Sequence, residues 1–257
     1  MTPLDENAQR EIVTLWEDAQ QILASLKWYA GQRREPQCDE LYAIVSGELL
    51  RREIEHACVV VVSLEREWFD SGVVATRAND ETMVNLVYLV RVGDPAQNAL
   101  VYWAWSRAEV EKEMGDLPSG REATAQLATL RTDVADRARA LCKGRRSWTG
   151  HDLRYMAEKA EIGGHAAAYS VLSWYSHSRL VGYDHRVTGD VGGQKIIFDN
   201  RVPPHHYETL ANFSRRFLRL SYYVACRSWY GEIRNFSGSD PEDVRRDLER
   251  RHPDPRL

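Results

Sequence analysis

Apolar residues recur at helical spacing along most of this chain, and this periodicity limits the fold more than any other feature. In the first segment the residues at that spacing are Ile12, Leu15, Trp16, Ala19 and Ile22. Side chains three and four residues apart lie on one face of a helix. The pattern returns in segment after segment between short stretches rich in glycine or proline. It predicts an all-α fold, a multi-helix bundle.

The breaks in the pattern give approximate helix bounds, with a turn expected at Ser71-Gly72 between the second and third helices. The stretch from Val59 to Val62 is β-branched and typical of a strand, but the helix formers on both sides of it favour a helix. We expect helices over residues 5–27, 39–70, 75–92, 96–114, 121–143, 149–159, 165–177 and 206–233.

The amino-acid composition changes between residues 179 and 204, where four glycines accompany two short segments of high β propensity, 186–188 and 195–198. This predicts a small β-hairpin or ordered-loop insertion near 180–203. The whole chain, 1–257, is then expected to form a single helical domain. Its parts are an N-terminal helix (1–35), a core bundle (39–178), the insertion (179–204) and C-terminal helices (205–257).

Composition excludes several classes of protein. The net charge of -4 gives no overall basic field for nucleic acid, and 43% hydrophobic residues exclude wholesale disorder. The four cysteines are far apart and form no C-x-x-C pair, which predicts free thiols in a reducing, cytoplasmic setting. The longest apolar run, 57–64, is far short of the roughly 20 residues that span a bilayer. We therefore expect a cytoplasmic protein with no membrane partner.

Ser173 and His177 stand one helical turn apart inside an otherwise apolar segment that begins at Tyr169. Core-facing helices seldom carry such groups unless they have partners or a function. Ser173 is placed to hydrogen-bond the imidazole and fix its tautomer. His177 is therefore a candidate general acid or base, or a phosphate ligand. The alternative is a core histidine satisfied by a neighbouring side chain.

Arg77 and Glu81 form a second pair one turn apart, on the third predicted helix. The strong apolar side of that helix favours partial burial of the pair. A buried arginine needs a carboxylate or an anionic ligand. Together with Ser173 and His177, these residues make a candidate catalytic set. The alternative is a salt bridge that ties helices together.

Further arginines and histidines are candidates for substrate binding. Arg146 precedes a helix start, a position suited to an anion, and Arg179 and His185 follow the segment of Ser173 and His177. Arg216 and Arg219 lie on the last helix among aromatic residues, a combination that suits RNA. A solvated helix whose aromatic residues face the core is the alternative.

Metal and cofactor motifs are weak in this sequence. Glu53 and His56 form one E-x-x-H element, but a di-iron bundle needs a second copy, which is missing. There is no phosphate-binding loop of the P-loop type and no G-x-S-x-G motif. We expect no metal and no cofactor.

The order of these motifs resembles a bacterial all-helical family of unknown function with an L-S-x-x-x-H signature. Here the signature is Leu172, Ser173 and His177, preceded by the R-x-x-x-E helix and by a W-x-G linker at 148–150. The resemblance covers roughly residues 40 to 180. It implies an all-helical core over that range.

That family is in turn distantly similar to the HEPN superfamily, helical bundles of which many are toxins or phage-defence proteins that cut RNA as dimers. HEPN nucleases use R-x4–6-H, most often R-N-x-x-x-H. Aligned on His177, the asparagine position is Ser173 and the arginine position is Leu172. The usual arginine is therefore missing. Either Arg77 from the facing helix substitutes for it, or the protein is a non-catalytic relative.

The resemblance implies a HEPN-like toxin or phage-defence protein that acts on RNA. If it is an enzyme, we expect a metal-independent endoribonuclease, working as a homodimer and paired with a cognate protein partner. A second hypothesis is a non-catalytic interaction or regulatory module in which the Arg/Glu/Ser/His cluster is structural. A third is a small-molecule enzyme or binder with its pocket under the insertion.

Overall fold

The computed structural model of the protein describes residues 5–31, 38–144, 146–176, 187–190, 195–198 and 202–231. Over these residues the chain is mainly helical, so the predicted all-α class is confirmed. The helices are α1 (Glu6–Gly31), α2 (Glu40–Glu65), α3 (Phe69–Arg91), α4 (Pro95–Met114), α5 (Pro118–Ala128), α6 (Thr132–Lys143), α7 (Leu153–Lys159), α8 (His165–Ser176) and α9 (Pro204–Tyr230).

Two four-residue segments are described between α8 and α9. β1 (Val187–Asp190) pairs antiparallel with β2 (Lys195–Phe198), and the pairing begins with Val187 opposite Phe198. The rest of the predicted insertion near 180–203 lies largely outside the described residues. The insertion as a structural unit therefore stays a prediction.

The centre of the bundle is formed by α2, α3 and α9, which pack against one another. α1 covers α9 and α2 on one side, α4 lies beside α2 and carries α5 and α6, and α7 and α8 pack against α3. The main core combines aliphatic and aromatic side chains and includes Leu64, Leu86 and Tyr222, each fully buried. A smaller cluster around Ala104 and Leu127 fills the space between α4, α5 and α6.

The turn between α2 and α3 comes earlier than the sequence predicts. α2 ends at Glu65 because the next residues close it: Trp68 N donates to Ser63 O at 2.7 Å, and Glu67 adopts a left-handed φ of 58°. Ser71 and Gly72 therefore lie inside α3. Gly72 faces Leu64 of α2 so closely that a Cβ there would sit 2.8 Å from the leucine Cδ2. This glycine permits close helix approach and does not form a turn.

The helix predicted over 121–143 is two helices. Thr129 N and Leu130 N donate to the carbonyls three residues earlier, which ends α5 in a tight final turn. Arg131 then adopts an extended ψ of 136° before α6 begins. The break lets both short helices turn small side chains, such as Ala123 and Ala138, towards α4.

Asp152 caps α7, its carboxylate accepting from Tyr155 N at 2.8 Å. Thr149, expected to open this helix, instead accepts from His151 N. In the part of the chain that the structure describes, every helix is too short or too polar to cross a membrane.

Candidate functional site

α8 lies antiparallel along α3, and their contact brings polar residues from both helices together. His165, the first residue of α8, forms a hydrogen bond with Asp80 of α3. Tyr169 follows His165 by one turn on α8, and its ring contacts Arg77, which precedes Asp80 by about one turn on α3. We call Arg77, Asp80, Glu81, His165 and Tyr169 the α3–α8 polar cluster. It has a part-exposed outer half and a buried inner half.

Arg77 and Glu81 form the outer half. Arg77 Nε donates to Glu81 Oε1 at 3.1 Å, and the guanidinium carbon lies 5.7 Å from the centre of the Tyr169 ring. The side chains are 23% and 42% exposed, respectively. The arginine is thus oriented by a carboxylate on one side and an aromatic face on the other, while solvent still reaches it.

Asp80 and His165 form the inner half. A hydrogen bond of 3.1 Å joins Asp80 Oδ2 and His165 Nε2, and both side chains are almost completely buried. Burial raises the pKa of Asp80, and the histidine and the Arg77 charge act in the opposite direction. Asp80 Oδ1 and His165 Nδ1 have no hydrogen-bond partner among the described residues. The pair links the first residue of α8 to the middle of α3.

Glu53 of α2 lies behind this pair and is fully buried. Burial and the neighbouring Asp80 raise its pKa well above the usual range, and the Ser221 hydroxyl opposes this only partly. Neither carboxylate oxygen has a hydrogen-bond partner among the described residues. A charged carboxylate in such surroundings is costly, so burial favours the protonated form of Glu53.

Further buried polar groups lie between α3 and α9, next to the inner half of the cluster. Asn79 Nδ2 donates to the Ser214 carbonyl at 3.3 Å, and the Ser214 hydroxyl bonds to Thr76 at 3.2 Å. All three residues are fully buried. These contacts join α3 to α9, beside the Asp80–His165 contact that joins α3 to α8.

Two of the four predicted catalytic residues, Arg77 and Glu81, lie together in the outer half of the cluster. Ser173 is half-buried and follows Tyr169 by one turn on α8, while His177 lies outside the described residues. Leu172 is fully buried in the core. An arginine at that position would be placed in apolar surroundings, so this bundle cannot hold a solvent-reached catalytic arginine there.

The predicted substrate-binding residues lie in other parts of the molecule. Arg146 is exposed at a shallow open pocket of about 440 Å³ that is also lined by Trp105. Arg216 is exposed on α9, and Arg219 binds both carboxylate oxygens of Asp18 of α1, at 2.7 and 2.8 Å. Arg179 and His185 lie outside the described residues.

Asp80, His165 and Glu53 were not among the residues predicted to form the site. Their signal in the sequence is a charged residue at helical spacing from apolar ones: Glu53 lies between Leu50 and Ala57 on the buried face of α2. Such a signal indicates burial but names no partner. Only the packing of α2 and α8 on α3 brings the three groups together.

The E-x-x-H element does not form a common site. Glu53 faces Asp80, whereas His56 is half-buried and lies 3.4 Å from the Thr82 hydroxyl. Burial and the nearby Arg52 lower the pKa of His56. No three histidine, cysteine or acidic side chains of the described residues are arranged to hold a metal ion.

A family of unknown function, DUF5677, matches residues 43–195. This range runs from within the first turn of α2 to the first residue of β2 and includes the whole α3–α8 polar cluster. The chain belongs to DUF5677. The expected membership of a helical family of unknown function is thereby confirmed, whereas the likeness to HEPN domains stays a prediction. α1 and the central helix α9 lie outside the matched range of this DUF5677 protein. No curated protein and no solved structure matches the chain.

Proposed function

We propose that this DUF5677 protein is a HEPN-like, metal-independent endoribonuclease of the toxin or phage-defence kind, with Arg77 as its phosphate-binding arginine. The observation that carries the proposal is the position of Arg77. It lies against Tyr169 on the helix that carries Ser173, and it remains part-exposed. Arg77 of α3 thus contacts α8, the helix on which Leu172 occupies the position of the usual HEPN arginine.

The proposed reaction is attack of the RNA 2′-oxygen on the adjacent phosphorus. The new 2′-O–P bond forms as the P–5′-O bond breaks, and one proton moves from the 2′-hydroxyl to a base while the 5′-oxygen gains another. In the proposal His177 moves one of these protons, with Ser173 orienting it. The Arg77 guanidinium neutralises charge that develops on the phosphate. Glu81 and Tyr169 hold Arg77 in place.

The proposal includes a cytoplasmic homodimer and a cognate protein partner, as expected for a toxin. In the proposal the insertion near 180–203, which follows Ser173 in the chain, contacts RNA. The candidate contacts there are His185 and the adjoining Arg179. Arg146 and Arg216 are exposed and remain candidate contacts. Arg219 already donates to Asp18, so it is the weakest of the candidate RNA contacts.

Incubation of the purified protein with RNA tests the proposal. We expect wild-type protein to cut RNA in the presence of a chelator, and His177→Ala to lose about 10²–10⁴-fold in rate. Expression of wild-type protein should slow growth, and the variant should not. Uncut RNA, together with identical growth for wild type and His177→Ala, would contradict the proposal.

A second candidate is a non-catalytic interaction module, and the burial of the inner half favours it. Asp80 and His165 are inaccessible to a substrate and connect two helices. In this alternative the cluster fixes how α8 packs on α3. Substitutions in the cluster would then lower stability without abolishing a reaction, which separates the two candidates.

A further inference from the structure

We propose that two copies of the chain associate through the solvent face of α2, packed antiparallel about a two-fold axis. The α2 face is the stripe whose positions step by four and three residues along the helix: Glu48, Arg52, Glu55, Val59, Val62 and Arg66. The inference takes from the proposed function only the expectation of a second copy. It does not depend on RNA cleavage.

The spacing of the α2 face is that of a helix-pairing seam. Steps of four and three keep successive side chains on one line along a helix, as in coiled coils. The opposite side of α2 packs into the core against α3 and α9. The seam is therefore directed away from the molecule and has no helix of the described chain over it at Val59 and Val62.

The centre of the seam is apolar and exposed. Val59 and Val62 are each 50% exposed, and Trp68, just beyond the end of α2, is 60% exposed. A lone exposed apolar residue is ordinary, but these three lie at the same end of one helix and are bordered by charges. That arrangement, an apolar centre with a charged border, is typical of a protein contact.

The charges that border the valines of the α2 face indicate which partner fits it. An axis between residues 60 and 61 places Val59 opposite Val62 of the second copy, and Glu55 opposite Arg66 of the second copy. By symmetry each contact occurs twice. Glu55 also contacts Arg51 in its own chain, in an exposed pair that leaves the carboxylate accessible to a second arginine.

Other registers fit less well. An axis at Glu55 would oppose two glutamates and would place Val59 against Arg51. The apolar and the charged positions therefore select the same register. Each copy supplies both the acid and the base, and this self-complementarity favours a second copy of the chain over a different protein.

In the selected register, Arg52 of one copy approaches the α2–α3 connection of the other. That connection carries the exposed Trp68, whose ring offers a face to a guanidinium. It also carries Glu67, of opposite charge. These contacts extend the association beyond the two helices and give each end of the interface an aromatic residue.

Sedimentation velocity on the full chain over a range of concentrations tests this interface. We expect a wild-type dimer, and a monomer for the double variant Val59→Glu, Val62→Glu. Glu55→Arg opposes arginines twice and should weaken association about tenfold. Adding Arg66→Glu to it restores the opposite charges, and we expect it to restore the dimer.

Val13→Glu is a matched control, because Val13 is a similarly exposed valine on α1. It should leave association unchanged. Circular dichroism verifies that each variant is folded, and the charge exchange tests the register even where the valine variant fails to fold. A monomeric wild type, or a dimer that the valine and charge variants leave intact, overturns the inference. Neither result bears on whether the protein cuts RNA.

Discussion

Arg77 has its charge oriented but not buried, which distinguishes it from the buried carboxylates Asp80 and Glu53. Its partner Glu81 is on its own helix, and its aromatic neighbour Tyr169 is on another. A part-exposed pair of this spacing contributes only a few tenths of a kcal/mol to stability. The geometry is therefore more informative about binding than about folding.

Glu53 links the stability of the fold to pH, because its carboxyl group is fully buried. Its pKa is raised in the folded protein, mainly by burial, so the folded state retains a proton that the unfolded state releases above about pH 4.5. Stability from this group is greatest at low pH and falls as pH rises, by up to about 1.4 kcal/mol per pH unit.

Glu53→Gln tests this directly, because an amide resembles the protonated acid in shape. We expect the variant to differ little from wild type at pH 5 and to be progressively more stable than wild type towards pH 8. Urea unfolding at several pH values measures the difference. Glu65→Gln, at an exposed position on the same helix, serves as the control. A difference that does not grow with pH would show that Glu53 is ionised in the folded protein.

Individual residues were predictable from the sequence only where a local pattern sufficed. The spacing of Arg77 and Glu81 predicts their contact, because partners one turn apart meet in any helix. The pairing of Asp80 with His165 spans 85 positions and depends on where α8 packs. No local rule predicts such a contact.

Among the helices, α8 depends most on a single polar contact. It packs mainly on α3, and among its described side chains His165, Ala168 and Leu172 are buried. Its first residue, His165, bonds to Asp80 in the core. Removing one member of a buried pair leaves the other without compensation, at a cost of about 3 kcal/mol.

We therefore expect His165→Ala to lower the free energy of unfolding by about 3 kcal/mol and to increase hydrogen exchange in α8 first. His151→Ala is the matched control, because His151 is exposed and stacks on Tyr155 alone. Its loss should stay below about 0.5 kcal/mol. Equal effects of the two substitutions would mean that the buried pair does not hold α8.

Helix bounds were predictable to the extent that glycine and proline end helices. Gly72 is the instructive error, since the sequence indicates a turn and the structure uses the glycine for close packing against Leu64. The turn instead occupies residues 66–68, where Glu67 adopts the left-handed conformation. A glutamate gives no such signal in sequence, because it seldom adopts that conformation.

For the whole molecule, the all-α class followed from periodicity, whereas the arrangement of helices did not. α9 illustrates the difference. Its arginines suggested an RNA surface, but Arg215 and Arg219 both bind the buried Asp18 of α1. These contacts depend on the packing of α1 beside α9, which the sequence does not predict. The first and last described helices are thus joined by charge as well as by apolar packing.

In the proposed function, the outer half of the α3–α8 polar cluster contacts RNA through Arg77. The chain offers a close control, since Arg154 and Glu158 of α7 form a pair of the same spacing, through the same atoms, at the same 3.1 Å. The most direct test is the rate of RNA cleavage by Arg77→Ala and Arg154→Ala. We predict a loss of about 10²–10³-fold for Arg77→Ala and an unchanged rate for Arg154→Ala. Equal rates for the two variants, or no cleavage by the wild type, would contradict the account.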